Sequence, residues 1–145
     1  MSVKHTGSLD QALNRLLTSN ELHVKVGILE NSKYPDGTSV PTVAYKNEYG
    51  WANIPPRPFF RDTIKEQKSN WVDLAKRAIG AGYGMDKVLG LVGTQMQNDI
   101  QHSIMTWTTP PNSAYTVAMK GFNAPLRQSL LMHDSVKYEV AEGKM

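Results

Sequence analysis

Side chains that could perform acid–base or nucleophilic chemistry are few and scattered along the 145 residues of this sequence. His133 and Asp134 are neighbours, and a histidine beside a carboxylate is a pairing that general-base catalysis uses. We expect these two residues to lie in a strand, where adjacent side chains point to opposite faces, so they should not form a dyad. Ser103 and Ser129 lack the G-x-S-x-G setting of an activated serine. The sequence therefore predicts no catalytic site, and we expect the protein not to be an enzyme.

Metal and cofactor binding are not indicated by the sequence either. The other histidines, His5, His23 and His102, are not spaced with carboxylates as metal ligands are, and there is no cysteine. The lack of cysteine also excludes disulfides and fits a reducing cytoplasm. Residues 80–84, Gly-Ala-Gly-Tyr-Gly, follow a helical pattern and match no phosphate-binding loop, so they indicate a helix–helix joint. We expect no metal and no cofactor.

Residues suited to binding another protein are concentrated after a run of prolines. In Ile54-Pro-Pro-Arg-Pro-Phe-Phe-Arg61 the prolines fix φ and disfavour helix before them, which predicts an extended arm leading into a helix. Phe59 and Phe60 would point about 100° apart on that helix, so one should meet the core and the other a groove or a partner. A rigid linker with core aromatics is the other interpretation. The first candidates for a protein interface are Arg57, Phe59, Phe60 and Arg61.

Two long polar segments give a second set of candidates. Residues 106–124 carry aromatic side chains beside Pro-Pro and are long for a simple connector. The candidate interface residues in this segment are Trp107, Pro110, Pro111, Asn112 and Ser113. Residues 30–41 form the other segment, with a turn signal at Pro35-Asp36-Gly37. We expect both loops to form few internal hydrogen bonds, to be disordered in the free chain and to order against partners.

Hydrophobic periodicity predicts the elements that carry these residues. Helices are expected over about 9–18, 43–49, 61–79, 85–105 and 125–132, and strands over 22–28 and about 136–140. Ser8 and Thr42 are the expected caps of the first two helices. In the third helix the expected core stripe includes Phe60, Ile64 and Trp71. The fold class is α+β: an antiparallel sheet packed on one face by two long helices plus an N-terminal helix, with long loops, in a single domain of residues 1–145.

Two glycines in the fourth predicted helix have two explanations. Gly90 and Gly93 each cost about 1 kcal/mol relative to alanine inside a helix. Either they permit a close approach of another backbone or side chain, or the helix simply begins weakly there.

Composition and charge are those of an ordinary globular protein. Hydrophobic residues make up 40% and charged residues 20%, mean hydropathy is −0.42, and the net charge is 16 − 13 = +3 with a pI of about 9.1. No apolar run approaches the roughly 18 residues of a membrane span, so we expect no membrane contact and no signal peptide. The basic residues nearest to a stripe are Arg57, Arg61, Lys65 and Lys68. Acidic residues interrupt them, which favours an exposed helix face; the alternative is a small nucleic-acid-binding module using this basic face.

Several pieces of the chain, taken in order over residues 42–140, resemble one protein family. They are Tyr45-x-x-Glu48-Tyr49-Gly50, Ile54 to Asp62, Pro110-Pro-Asn-Ser113, Lys120-Gly121, Pro125-Leu126 and Ser135 to Val140. Together they resemble the tail-completion or neck proteins of tailed bacteriophages. Relatives usually have Asp-Thr-Gly after Pro-Leu, whereas this chain has Gln128-Ser129-Leu130 and so lacks the glycine of that turn.

The resemblance implies a structural virion protein of the head–tail junction, made in the host cytoplasm. Such a subunit forms a ring with copies of itself, hexameric or dodecameric, that joins the head-side connector or adaptor to the tail terminator or tail tube protein. DNA contact is implied only through the ring lumen. Because the apolar stripes are each about as wide as one core requires, we expect the isolated chain to be a monomer or weak oligomer.

Overall fold

A computed structural model describes residues 22–108, 126 and 130–143, and within them the chain has the predicted α+β fold. The elements are β1 (Leu22–Ile28), α1 (Val40–Tyr49), α2 (Phe59–Gly80), α3 (Met85–Thr106), α4 (Leu131–Asp134) and β2 (Val136–Glu142). Both long helices lie within two residues of their predicted bounds. The predicted N-terminal helix over 9–18 lies outside the described residues.

Contacts divide the described residues into two compact groups. The first comprises residues 22–26, 68–96 and 138–143, and the second comprises 27–67, 97–108, 126 and 130–137. This grouping does not decide whether residues 1–145 are a single domain, which stays a prediction.

The two strands pair with each other, as expected. Lys25 Nζ lies 3.7 Å from a Glu139 carboxylate oxygen, and His23 Nδ1 lies 2.9 Å from the Gly143 carbonyl oxygen. These cross-strand partners run in opposite directions along the sequence, so the sheet is antiparallel. A two-stranded sheet is only marginally stable alone, so it depends on the helix that packs on it.

In the first group, α3 meets the sheet at Gly93. A Cβ at this position would lie 2.8 Å from Tyr138 Cγ and 2.9 Å from Val24 Cγ2, and it would meet the edge of the tyrosine ring still more closely. A Cβ at Gly90 would have nothing within 4 Å. Gly93 therefore permits close packing of the sheet against α3. Gly90 does not, because a Cβ there would meet nothing.

The glycine-rich joint between α2 and α3 is a defined helix cap. Gly82 has φ of +93°, its N–H donates to Ile79 O at 3.0 Å, and the Tyr83 N–H donates to Ala78 O at 3.2 Å. This pair of bonds is the Schellman pattern, which satisfies the last carbonyls of a helix and requires a left-handed residue. The residue that needs to be glycine here is Gly82.

In the second group, α1 begins earlier than the sequence predicted. The Thr42 N–H donates to Ser39 Oγ at 3.3 Å, so Ser39 caps the helix and Thr42 lies inside it. Pro41 is tolerated because the first helical N–H groups have no partner within the helix. The last turns of α3 lie beside the start of α2, where Ser103 Oγ donates to Phe59 O at 3.4 Å. The buried apolar residues of this group are Val40, Ala44, Phe59, Ile100, Ile104, Leu126, Met132 and Val136.

The predicted core stripe of α2 is wrong by one residue in its first turns. Phe59 and Thr63 are buried, whereas Ile64 is 39% exposed. A buried threonine obscures the apolar pattern, but its hydroxyl donates to the Phe59 carbonyl oxygen at 2.6 Å and so needs no water. Farther along, Trp71 is buried as predicted, and Ala78 is buried on the same helix.

Residues 30–41 contain more internal hydrogen bonding than expected. The Tyr34 N–H donates to Thr38 O at 2.8 Å, and the Gly37 N–H donates to Tyr34 O at 2.8 Å. The Asp36 carboxylate accepts from the Thr38 N–H at 2.9 Å, which is the local bond that makes aspartate a turn former. The predicted turn at Pro35-Asp36-Gly37 is confirmed, and the expectation of few internal hydrogen bonds in this segment is wrong.

The segment before β2 contains a strained residue. Leu130 has φ of 64°, a left-handed conformation, so the helix predicted over 125–132 does not continue through Leu130, and α4 begins at Leu131. Residues 127–129 lie outside the described part of the chain. Glycine lacks a Cβ and adopts this conformation without the steric cost that leucine has.

We expect Leu130→Gly to be more stable than Leu130→Ala by about 0.5–1 kcal/mol, because glycine adopts a left-handed conformation without the cost that a side chain adds. Both variants remove the same leucine side chain, and Leu130 is 46% exposed, so the loss of its burial largely cancels between them. Urea unfolding measures the difference, and the control is the pair Leu91→Gly and Leu91→Ala in the interior of α3, where alanine should be the more stable by about 1 kcal/mol. A Leu130→Gly variant less stable than Leu130→Ala would contradict the assigned backbone conformation.

Candidate protein-docking site

A carboxylate from α1 caps the first turn of α2 in the second group. Glu48 is 6% exposed, and its two oxygens accept from the Phe60 N–H at 2.8 Å and the Arg61 N–H at 3.3 Å. Pro58 precedes this turn and cannot supply a capping side chain. The first N–H groups of a helix have no partner within the helix and carry partial positive charge, so a carboxylate there is stabilising.

Arg61 joins this carboxylate to the aromatic side chains at the surface. Its Nε donates to a Glu48 oxygen at 2.6 Å, its Nη2 donates to the Glu48 backbone oxygen at 2.8 Å, and its guanidinium carbon lies 4.4 Å from the centroid of the Tyr49 ring. The hydrogen bond to Glu48 is the main reason that the pKa of Arg61 is raised above its usual value. Arg61 is therefore held as a fixed cation with its side chain 51% exposed.

Beside this pair lies an open groove of about 420 Å³, here named the aromatic groove. Its apolar lining comes from the end of β1, from α1 and from the first turns of α2, and it includes Ile28, Pro41, Tyr45, Tyr49, Phe60 and Ile64. The Tyr45 and Tyr49 rings are one helical turn apart with centroids 4.9 Å from each other. The groove is thus lined by apolar and aromatic side chains together with Arg61.

Large apolar side chains are exposed on the same stretch of chain. Tyr45 is 62% exposed, Tyr49 is 53% exposed and Trp51 is 59% exposed. Trp51 is held in a tight turn, where its N–H and carbonyl both bond Ile54, and Lys46 Nζ lies 5.5 Å from its ring centroid. Exposed aromatic residues close together in sequence and structure are typical of protein-interaction surfaces.

The structure separates the four leading candidates of the sequence analysis. Phe59 is 1% exposed and belongs to the core, while Phe60 is partly exposed in the aromatic groove, so the expected division between the two rings is confirmed. Arg57 is 6% exposed, and burial lowers the pKa of its guanidinium. Its N–H donates to Asn47 O, which fastens the proline arm to α1. Of the four, Phe60 and Arg61 are placed at an accessible surface.

We therefore expect Arg57→Ala to destabilise the fold by at least about 1 kcal/mol, because it removes a buried side chain and its interactions. An Arg57 exposed at an interface, as the sequence predicted, would instead leave the melting temperature nearly unchanged on substitution. Thermal melting distinguishes the two, with Lys65→Ala, an exposed position on α2, as the control that should melt like the wild type. An unchanged melting temperature for Arg57→Ala would show that its burial is not important for stability.

The second set of candidates is only partly described. Trp107 lines a separate polar cleft of about 520 Å³, and its indole Nε1 is buried with no hydrogen-bond partner among the described residues. Pro110, Pro111, Asn112 and Ser113 lie outside the described residues. Their assignment to an interface stays a prediction.

The polar cleft also contains His102 and Ser103, but they are not arranged for nucleophilic catalysis. The Ser103 hydroxyl donates to Phe59 O, and in the described part of the chain no hydrogen bond joins it to His102. No cluster of three or more potential metal ligands occurs among residues 22–108, 126 and 130–143.

The expectation for His133 and Asp134 is wrong. They lie in the single turn of α4 rather than in a strand, and His133 Nδ1 is 2.7 Å from an Asp134 carboxylate oxygen. Adjacent side chains on a helix point about 100° apart, compared with opposite faces on a strand, so these two side chains can reach each other. Asp134 is 66% exposed, and neither residue lines either of the two clefts.

Sequence reasoning missed Glu48, Tyr45 and Trp51 as parts of the site. Tyr45 and Tyr49 are four residues apart and would share a helix face, which is a usable signal. The role of Glu48 had no such signal, because its partners are twelve and thirteen residues away.

Of the four residues of the basic-face alternative, Arg57 is buried, and Arg61 is paired with Glu48 while its side chain is 51% exposed. That alternative stays a prediction. None of the described helices is both long enough and apolar enough to span a membrane.

We compared the chain with protein-family models, with curated proteins and with solved structures, and none of these comparisons gave a match.

Proposed function

We propose that this chain is a structural protein of the phage head–tail junction, of the tail-completion or neck type. In this role copies of the chain form a ring, a hexamer or dodecamer, that joins the head-side connector or adaptor to the tail terminator or tail tube. The chain acts by docking to its neighbours and not by catalysis, and DNA passes through the ring lumen.

The observation that carries this proposal is the aromatic groove with its exposed surroundings. Tyr45, Glu48, Tyr49 and Arg61 belong to the pieces of sequence that resemble the family, and these same residues build the groove and its edge. A surface made of exposed aromatics and a fixed arginine has the composition of a protein-binding site. The α+β fold and the pairing of β1 with β2 fit the same proposal.

Deleting the gene from the phage that encodes it tests the proposal. Electron microscopy of the lysate is expected to show filled heads and separate tails, and the wild-type chain supplied from a plasmid should restore joined particles. Normal numbers of joined, infectious particles without the gene would refute the proposed function.

The isolated chain is expected to be a monomer or weak oligomer, because the apolar stripes predicted from the sequence are each about as wide as one core requires. Light scattering at micromolar concentration measures its mass. A stable closed ring formed by the chain alone would contradict the view that ring formation requires the neighbouring proteins.

A further inference from the structure

We propose that the aromatic groove binds an extended segment of a partner protein that carries a large apolar side chain next to carboxylates. This inference deepens the proposed function, because it names the docking surface and the chemistry of what docks there.

The volume and the lining of the groove favour an apolar side chain of the partner. Its volume of about 420 Å³ falls in the roughly 300–1,000 Å³ range of protein sites that enclose ligands. Phe60 and Ile64 line it from α2, and Tyr45 lines it from α1. Interfaces gain most of their affinity from an aromatic or aliphatic side chain inserted into such a pocket.

The charges at the groove favour a partner segment with an acidic residue beside its apolar side chain. The Glu48 carboxylate already accepts from the Phe60 and Arg61 N–H groups and from Arg61 Nε. Its side chain is only 7% exposed, so its negative charge is not presented to a partner. The Arg61 side chain is 51% exposed, and its bonds to Glu48 use Nε and Nη2, which leaves Nη1 as a further donor. A partner carboxylate can accept from this nitrogen without displacing Glu48.

Net charge favours a different protein over a second copy of this chain as the occupant. The chain carries a formal charge of +3, so two copies repel each other weakly, whereas an acidic partner is attracted. Lys46, which lies over the exposed Trp51 ring, adds a second cation on the same stretch of chain.

A set of four synthetic probes tests the inference by NMR titration of the full-length, ¹⁵N-labelled chain. The first peptide has one tryptophan between pairs of aspartates; the second replaces the aspartates by lysines; the third replaces the tryptophan by serine; the fourth probe is a single-stranded oligonucleotide. The first peptide should shift the amides of Tyr45, Tyr49, Phe60 and Arg61, and its affinity should exceed that of each other probe by at least about tenfold, which is 1.4 kcal/mol. Equal binding of the acidic and basic peptides, or preferential binding of the oligonucleotide, would overturn it.

Variants of the chain test whether the amide shifts arise from binding in the aromatic groove. Ile64→Asp places a charge in the groove at a position that is already 39% exposed, and it should weaken the first peptide at least about tenfold. Val72→Asp is the matched control on the same helix, 45% exposed and outside the groove, and it should bind like the wild type. Arg61→Gln should remove the preference for the acidic peptide but retain the requirement for tryptophan. Equal loss in both aspartate variants would overturn the assignment of the groove.

Two further results separate this inference from the proposed function. If the wild-type chain dimerises and Ile64→Asp abolishes the dimer, the occupant is a second copy and the inference fails. If Ile64→Asp supports normal joining of heads and tails in a phage that requires the gene, the groove assignment fails while the proposed function stands.

Discussion

Gly93→Ala is expected to destabilise the folded chain by about 2–3 kcal/mol, in the upper part of the range for overpacked sites. The added methyl group would overlap the base of the Tyr138 ring and a methyl group of Val24. Neither contact is with the end of a flexible side chain, so the helix and the sheet must separate to make room. For a chain of this size, the expected fall in melting temperature is about 4–10 °C.

Gly90→Ala supplies the control for this prediction. It lies one turn earlier on the same helix, and a Cβ there meets nothing within 4 Å. The substitution should stabilise the chain by about 1 kcal/mol, because alanine is the better helix former. Urea unfolding of both variants measures the difference, and equal changes in the two would show that α3 does not pack on the sheet at Gly93.

Glu48→Ala is expected to destabilise the chain by about 2–4 kcal/mol. The substitution leaves the first N–H groups of α2 without their acceptor and removes the partner of the Arg61 guanidinium. Glu48→Gln keeps one acceptor oxygen and the side-chain volume but loses the charge, so about half of that loss is expected. The free energy of unfolding in urea measures both changes.

The control for Glu48 is a carboxylate with an exposed ion pair. Glu139→Gln removes the partner of Lys25, but both side chains are more than half exposed, so the cost should be below about 1 kcal/mol. If Glu48→Ala is as mild as Glu139→Gln, the capping role of Glu48 is wrong.

The long elements could be predicted from the sequence because their hydrophobic periods extend over many residues. Both 22-residue helices and both strands were expected near their observed bounds. The predictions failed where the burial or the backbone conformation of a single residue determines the local structure. Thr63 is buried although it is polar, which moved the predicted core face of α2 from Phe59 to Phe60. Leu130 takes a left-handed conformation that leucine disfavours, so the start of α4 could not be located.

Only part of the candidate site could be predicted from the sequence. Aromatic and arginine residues near the prolines indicated an interface, and Phe60 and Arg61 do lie at the groove. Whether an arginine faces solvent depends on how the arm packs, and nothing local distinguishes the buried Arg57 from the half-exposed Arg61. The capping contact of Glu48 depends on the angle between two helices, which residue types alone do not specify.

The cap that Glu48 supplies to α2 also bears on the order of folding. Because the first turn of α2 takes its acceptor from the last turn of α1, that turn gains its full stability only when both helices are in place. The contact spans only twelve residues, so closing the intervening loop costs little entropy. We therefore expect the end of α1, the proline arm and the start of α2 to form together as an early local unit, before β1 and β2, which are distant in sequence, pair with each other.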